Sequence, residues 1–118
     1  MLQGRRGGAL ARAERRRHLI LFVPAVYAHA RWVLRIPECR SLKTKRSIIR
    51  GLRDRIRSRF PVSAAETDFA NEHGRAEISV ALVTSDATVA DSILERLDAM
   101  MASDPRIFVT ERERRYVQ

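Results

Sequence analysis

Apolar residues recur along this chain in two rhythms, one of two residues and one of three to four. The order in which the rhythms change predicts the fold. From Tyr27 to Ile36 the period is two: Trp32, Leu34 and Ile36 fall on one side, and Arg31, Val33 and Arg35 on the other. Such alternation, with aromatic and β-branched content, reads as a strand with one buried face. Pro37 closes it. Ser41 is placed to cap a helix running to about Phe60, in which Ile48, Ile49, Leu52, Ile56 and Phe60 make one apolar stripe. Gly51 inside that helix costs about 1 kcal/mol relative to Ala, and Pro61 ends it. Val62–Thr67 reads as a short second strand, and Asp68–Gly74 as a polar turn. Ala76, Ile78, Val80 and Leu82 then alternate with Glu77, Ser79, Ala81 and Val83 as a third strand, completing a hairpin. Ser85 or Asp86 caps a second helix reaching about Met101. Its stripe is Val89, Ala90, Ile93, Leu94, Leu97 and Met101, and Asp91, Glu95 and Asp98 lie on its polar side. Ile107–Thr110 reads as a fourth strand and Glu111–Arg115 as a charged end.

The resulting order is βαββαβ. Each strand–helix–strand unit is expected to cross right-handed. Two such units interleave into a ferredoxin-like α+β domain, a four-stranded antiparallel sheet with both helices on one face. Trp32, Leu34, Ile36, Ile78, Val80 and Leu82 are its expected sheet core. Residues 27–115 form the expected domain, and 1–26 a basic tail. Arg5–Arg17 is rich in Arg with Gly4, Gly7 and Gly8, a composition that opposes packing. His18–Tyr27 followed by Ala28-His29-Ala30 superficially matches a secretory signal. Cleavage after Ala30 would remove half of the first strand, however, and Pro24 breaks the apolar run, which is too short to span a bilayer. A start near Val23 or Val26 is an alternative account of the same segment.

Length and charge sharpen this picture. The chain has 118 residues, enough for one domain, and a formal charge of +9. Residues 1–18 carry six Arg against Glu14, and residues 28–60 carry eleven Lys/Arg against Glu38 and Asp54. Residues 61–118 reverse the balance, with six Arg against eleven Asp/Glu. A basic first half beside an acidic second half predicts one positive face, which draws polyanions. Cys39 is the single cysteine. It allows no internal disulfide and fits a reducing, cytoplasmic setting. The scattered His and Cys lack metal-ligand spacing, so neither a metal nor a cofactor is expected.

The one constellation with a chemical argument lies on the first helix. Lys43, Arg46, Arg50, Arg53 and Arg57 recur at three-to-four spacing and share a face separate from the apolar stripe. Lys45, Arg55 and Arg59 fall elsewhere around it, and Lys45 joins the candidate set as a flanking residue. Like charges so stacked cost several tenths of a kcal/mol per pair, and Lys43 opposes the helix dipole. Arginine suits bidentate phosphate contacts. The competing account is a solvated face neutralised by Asp91, Glu95 or Asp98 of the second helix. The open sheet face is expected to show Arg31, Val33, Arg35, Glu77, Ser79 and Ala81 with no aromatic. That argues against base stacking on the sheet and suits cross-strand ion pairs or a sheet-to-sheet dimer. Cys39 beside Arg40 at a helix start could be reactive, but no partner base is evident. His29 and His73 likewise lack a catalytic partner, and no Gly-rich phosphate loop is present.

Arg35-Ile36-Pro37 followed by Arg40-Ser41-Leu42-Lys43-Thr44-Lys45-Arg46-Ser47 resembles the YlxP-like family of small bacterial proteins, a domain of unknown function (503). The likeness continues through Arg59-Phe60, Val62-Ser63-Ala64-Ala65-Glu66, Arg75-Ala76, Val80-Ala81-Leu82-Val83 and Asp86-Ala87. It covers roughly residues 27–110. The stretch Thr67–Gly74 departs from the family pattern by being a little longer. The resemblance implies a ferredoxin-like fold and no established reaction. Gene neighbourhoods in the family imply a role near RNA or the ribosome by association only, and fold alone does not fix function.

The expectation is therefore a non-catalytic protein that binds RNA or the ribosome through Lys43, Lys45, Arg46, Arg50, Arg53 and Arg57, with no membrane partner and no small-molecule substrate. The alternative is an interaction module that forms a homodimer through the sheet.

Overall fold

The computed structural model describes residues 25–117. The expected tail, apart from its last two residues, lies outside them. The elements are β1 (Val26–Arg35), α1 (Leu42–Arg59), β2 (Ser63–Asp68), β3 (Arg75–Thr84), α2 (Ala87–Ser103) and β4 (Phe108–Val117). The strands form one antiparallel sheet in the order β2-β3-β1-β4. This is the expected α+β βαββαβ arrangement, and it fits a ferredoxin-like fold.

The alternation in β1 and β3 does what its period requires. Ala28, Ala30, Trp32, Leu34, Ala76, Ile78, Val80 and Leu82 all enter one core with Ile49, Leu52 and Ile56 of α1 and Ala90, Ile93, Leu94, Leu97 and Met101 of α2. α1 packs over β2, and α2 over β3, β1 and β4. Ser41 caps α1, its hydroxyl accepting the Thr44 N–H at 3.1 Å. Asp86 caps α2, accepting the Thr88 N–H at 2.8 Å. Each cap satisfies an amide that the first helical turn leaves unpaired.

Three elements differ from the sequence expectation. β4 runs to Val117, so the charged stretch Glu111–Arg115 is strand and not an end. Its alternation is of charge: Glu111 and Glu113 pair in register with Val33 and Arg31, while Arg112 and Arg114 reach Asp98 of α2. Val89, expected in the α2 stripe, is exposed. Val33 is buried although it lies on the open face, where its register neighbours are Glu77 and Glu111.

Candidate nucleic-acid interface

The basic stripe is built by the pitch of α1. One side of the helix, Lys45, Ile49, Leu52 and Ile56, is buried. Residues roughly a third of a turn around from that side stay outside. Lys43, Arg46, Arg50 and Arg57 are exposed there, and Arg53 is half-buried. The flank that carries them runs along the β2 edge, because the Arg57 guanidinium donates to the Ala64 carbonyl of β2 at 2.6 Å.

Neutralisation of the stripe is slight. Among the described residues Lys43, Arg46 and Arg50 enter no salt bridge, and Arg53 comes no closer than 3.9 Å to Asp54. Of the three acids of α2 that could neutralise it, Asp91 and Asp98 are engaged elsewhere, and Glu95 enters no salt bridge among the described residues. Asp98 accepts from Trp32 Nε1 at 2.7 Å and pairs with Arg112 at 3.3 Å and with Arg114. Asp91 accepts from the Tyr116 hydroxyl, a bond between two exposed groups. Arg55, on the opposite flank of α1, pairs with Asp104 at 3.2 Å. The closest ion pair of an α1 arginine is thus made off the stripe, by Arg55, and the stripe has only the long Arg53–Asp54 contact.

Lys45 does not belong to the interface. It is 0% exposed and sits on the buried side of α1. Its ammonium donates to the Phe69 carbonyl at 2.6 Å and meets Glu66 as an ion pair at 2.7 Å. A buried, partnered ammonium cannot reach a phosphate, so the candidate residues reduce to Lys43, Arg46, Arg50, Arg53 and Arg57. Spacing carries the signal: Lys45, Ile49, Leu52 and Ile56 follow the i, i+4, i+7, i+11 pattern of a core stripe.

The sheet face also needs correction. Tyr27 pairs with Val83 and Val117, and Phe108 with Arg35, so both aromatics stand at opposite ends of the open face. The expected cross-strand ion pairs occupy its centre. Arg31 lies 3.0 Å from Glu77, 3.5 Å from Glu113 and 3.8 Å from Glu111. Cys39 is buried, its thiol 3.2 Å from the Ser41 carbonyl, so it packs in the core and is not presented at the helix start. His73 Nδ1 lies 2.9 Å from the Cys39 carbonyl, which requires that nitrogen to donate. His29 is exposed on the open face.

Sequence comparison gives a family. The chain matches the family described as "Protein of unknown function (DUF503)" over residues 28–114. It belongs to the DUF503 family. The match spans β1 through most of β4, including the whole basic stripe. No curated protein matches. Among solved structures, the designed protein "De novo designed protein Foldit4" is 18% identical with a TM-score of 0.46, over 80% of this chain and 98% of that one. A C-terminal segment of the alpha subunit of aIF2 from Pyrococcus abyssi is 17% identical with a TM-score of 0.43, over 86% of this DUF503 chain and 54% of the segment. The intact subunit gives 17% and 0.40, with 35% of its length covered. These likenesses are too distant to bear on function.

Proposed function

We propose that this protein binds RNA through the outer flank of α1, contacting phosphates with Lys43, Arg46, Arg50, Arg53 and Arg57. The observation that supports this reading is the pairing pattern: Asp91 and Asp98 of α2 are engaged by β4 and Trp32, Glu95 meets none of the stripe, and Lys43, Arg46 and Arg50 have no acidic partner among the described residues. Stacked like charges are unfavourable on a helix, and a polyanion relieves that repulsion. Such contacts read the backbone and not the sequence.

The test is RNA affinity across a salt series. Each phosphate contact contributes about 0.7–0.9 to the slope of log affinity against log salt. Arg46→Gln, Arg50→Gln and Arg53→Gln together are expected to lower affinity at low salt by orders of magnitude and to flatten the slope by about two. Arg59→Gln, Arg96→Gln and Arg115→Gln remove the same charge away from the stripe and are expected to change affinity far less. Equal losses in both triple variants would assign binding to net charge. A wild-type protein that ignores RNA at about 50 mM salt would overturn the reading.

One observation favours a second reading, a homodimer through the sheet. Tyr27, Val83 and Val117 are 52%, 63% and 61% exposed in one register row of the open face. With His29 and Ala81 they line an apolar depression of about 460 Å³. Sedimentation of the wild type against Tyr27→Ser with Val83→Ser decides it: a dimer that dissociates in the variant supports this reading, and a monomeric wild type ends it.

A further inference from the structure

The buried Lys45 draws the β2–β3 loop against the start of α1, and other bonds hold it there. Lys45 Nζ donates to the Phe69 carbonyl at 2.6 Å, His73 Nδ1 lies 2.9 Å from the Cys39 carbonyl, and the Ile36 N–H donates to the Gly74 carbonyl at 2.9 Å. Loop residues 69–74 are thereby fixed against the start of α1, on the side that carries Lys45. Within this loop Phe69 has φ 63, the left-handed region that an aromatic residue rarely adopts. Such strain persists only where the surroundings impose it, and it concentrates at binding sites. Here it accompanies a specific pair: the Arg75 guanidinium lies 3.8 Å over the centre of the Phe69 ring. Glu72 holds Arg75 in place with two bonds, at 2.8 and 3.1 Å.

The loop's charge separates its role from that of the stripe. Asp68 and Glu72 sit beside the stack, so the loop is a poor place for a phosphate. An uncharged base is indifferent to those carboxylates and gains from a flat aromatic or guanidinium surface.

We propose that the Phe69–Arg75 stack, held at the N-terminal end of α1, is a platform for an unpaired base, and that the ligand is RNA with single-stranded nucleotides in preference to duplex. The inference rests on the RNA reading of the stripe and adds the ligand class. Bases in a duplex present only their edges, whereas unpaired bases expose the rings that stacking requires.

The test compares a single-stranded RNA of about 12 nucleotides, a length within the usual footprint of such sites, with a fully paired duplex of equal length. The wild type is expected to favour the single strand. Phe69→Asn suits the left-handed backbone and removes the ring. It is expected to weaken single-strand binding on the order of tenfold with duplex binding and salt slope unchanged. Phe69→Trp is expected to keep the preference. Equal wild-type affinity for both RNAs overturns the platform and leaves the stripe standing, as does single-strand binding by Phe69→Asn at the wild-type level or a loss of preference in Phe69→Trp. A wild type that binds neither RNA overturns the stripe and the platform together.

Discussion

Arginine is used in opposite ways on α1 and on β4. Arg112 and Arg114 of β4 converge on one carboxylate, Asp98, which also accepts from the buried Trp32. Arg115 meets Glu113 at 2.7 Å. On α1 the stripe has one exposed neighbour, Asp54, and one backbone carbonyl for five cations. Charge that is matched within the fold fixes geometry. Charge that is left unmatched contributes little to stability and remains available to a partner. A net charge of +9 cannot separate these uses; the pairing of each side chain does.

Lys45 shows how far matching can go, and breaking its pair is expected to have the largest effect on stability. The ammonium is fully buried while Glu66 keeps about a fifth of its side-chain exposure (20%). Glu66→Ala strands a buried charge and is expected to cost about 3–5 kcal/mol. Lys45→Met strands a carboxylate whose Oε2 is buried but whose side chain is only partly so, and is expected to cost less. Urea unfolding of both variants checks the asymmetry. Equal losses would mean that Lys45 is hydrated in solution. Asp98→Ala comes next, with an expected cost of about 2–3 kcal/mol from the lost bonds of Trp32, Arg112 and Arg114. Asp98→Asn should lose less, since its amide oxygen can still accept from Trp32.

What could be read from the sequence was what periodicity encodes within one element. The two helices, the cap Ser41, the third strand and the six expected sheet-core residues all follow from local spacing, and each is where it was expected; of Ser85 and Asp86, the two candidates for the second cap, the structure takes Asp86. The errors arise where a partner from another element decides. Glu66 and Phe69 come from β2 and its following loop, 21 and 24 positions from Lys45, the latter separation being the one tied by a hydrogen bond. β4 was cut short because its outer half has charge where a strand signal needs apolar residues, and the acid that accommodates Arg112 and Arg114 lies on α2. Within the proposed site, the stripe was legible as a helical pattern. Phe69 and Arg75 were not, because nothing local marks a left-handed phenylalanine or the cation stacked on it.

Acid is expected to separate matched from unmatched charge more gently. Arg106 first, and then Arg55, hold the Asp104 carboxyl well below the usual carboxylate range. A carboxylate with a depressed folded pKa contributes stability that is present above its unfolded value, about 3.9, and is lost as pH falls towards the folded value. Stability should therefore decline below about pH 4. Asp104→Asn should lower stability at neutral pH and reduce the slope of that decline. Thermal melts from pH 2 to 6 test this. A variant that matches wild type across the range would remove Asp104 from the acid response.

The smallest expected effect is the most informative about α1. Arg46→Gln, Arg50→Gln and Arg53→Gln remove three positive charges while keeping long side chains of similar helix propensity. None of the three makes a close ion pair: Arg53 and Asp54 are 3.9 Å apart, and Arg46 and Arg50 have no acid partner among the described residues. Arg57 is left in place because it holds the Ala64 carbonyl. Each relieved like-charge contact returns a few tenths of a kcal/mol, and surface changes away from special features stay within about 0.5 kcal/mol. The triple variant should therefore melt at or slightly above the wild-type temperature at low salt, and the difference should shrink as salt screens the repulsion. The corresponding change on β4, Arg112→Gln with Arg114→Gln, should lower the melting temperature, because Asp98 then loses its counter-charges. If the α1 variant is the one that destabilises, its arginines are structural after all, and the distinction between the two regions fails at the level of stability before RNA is added.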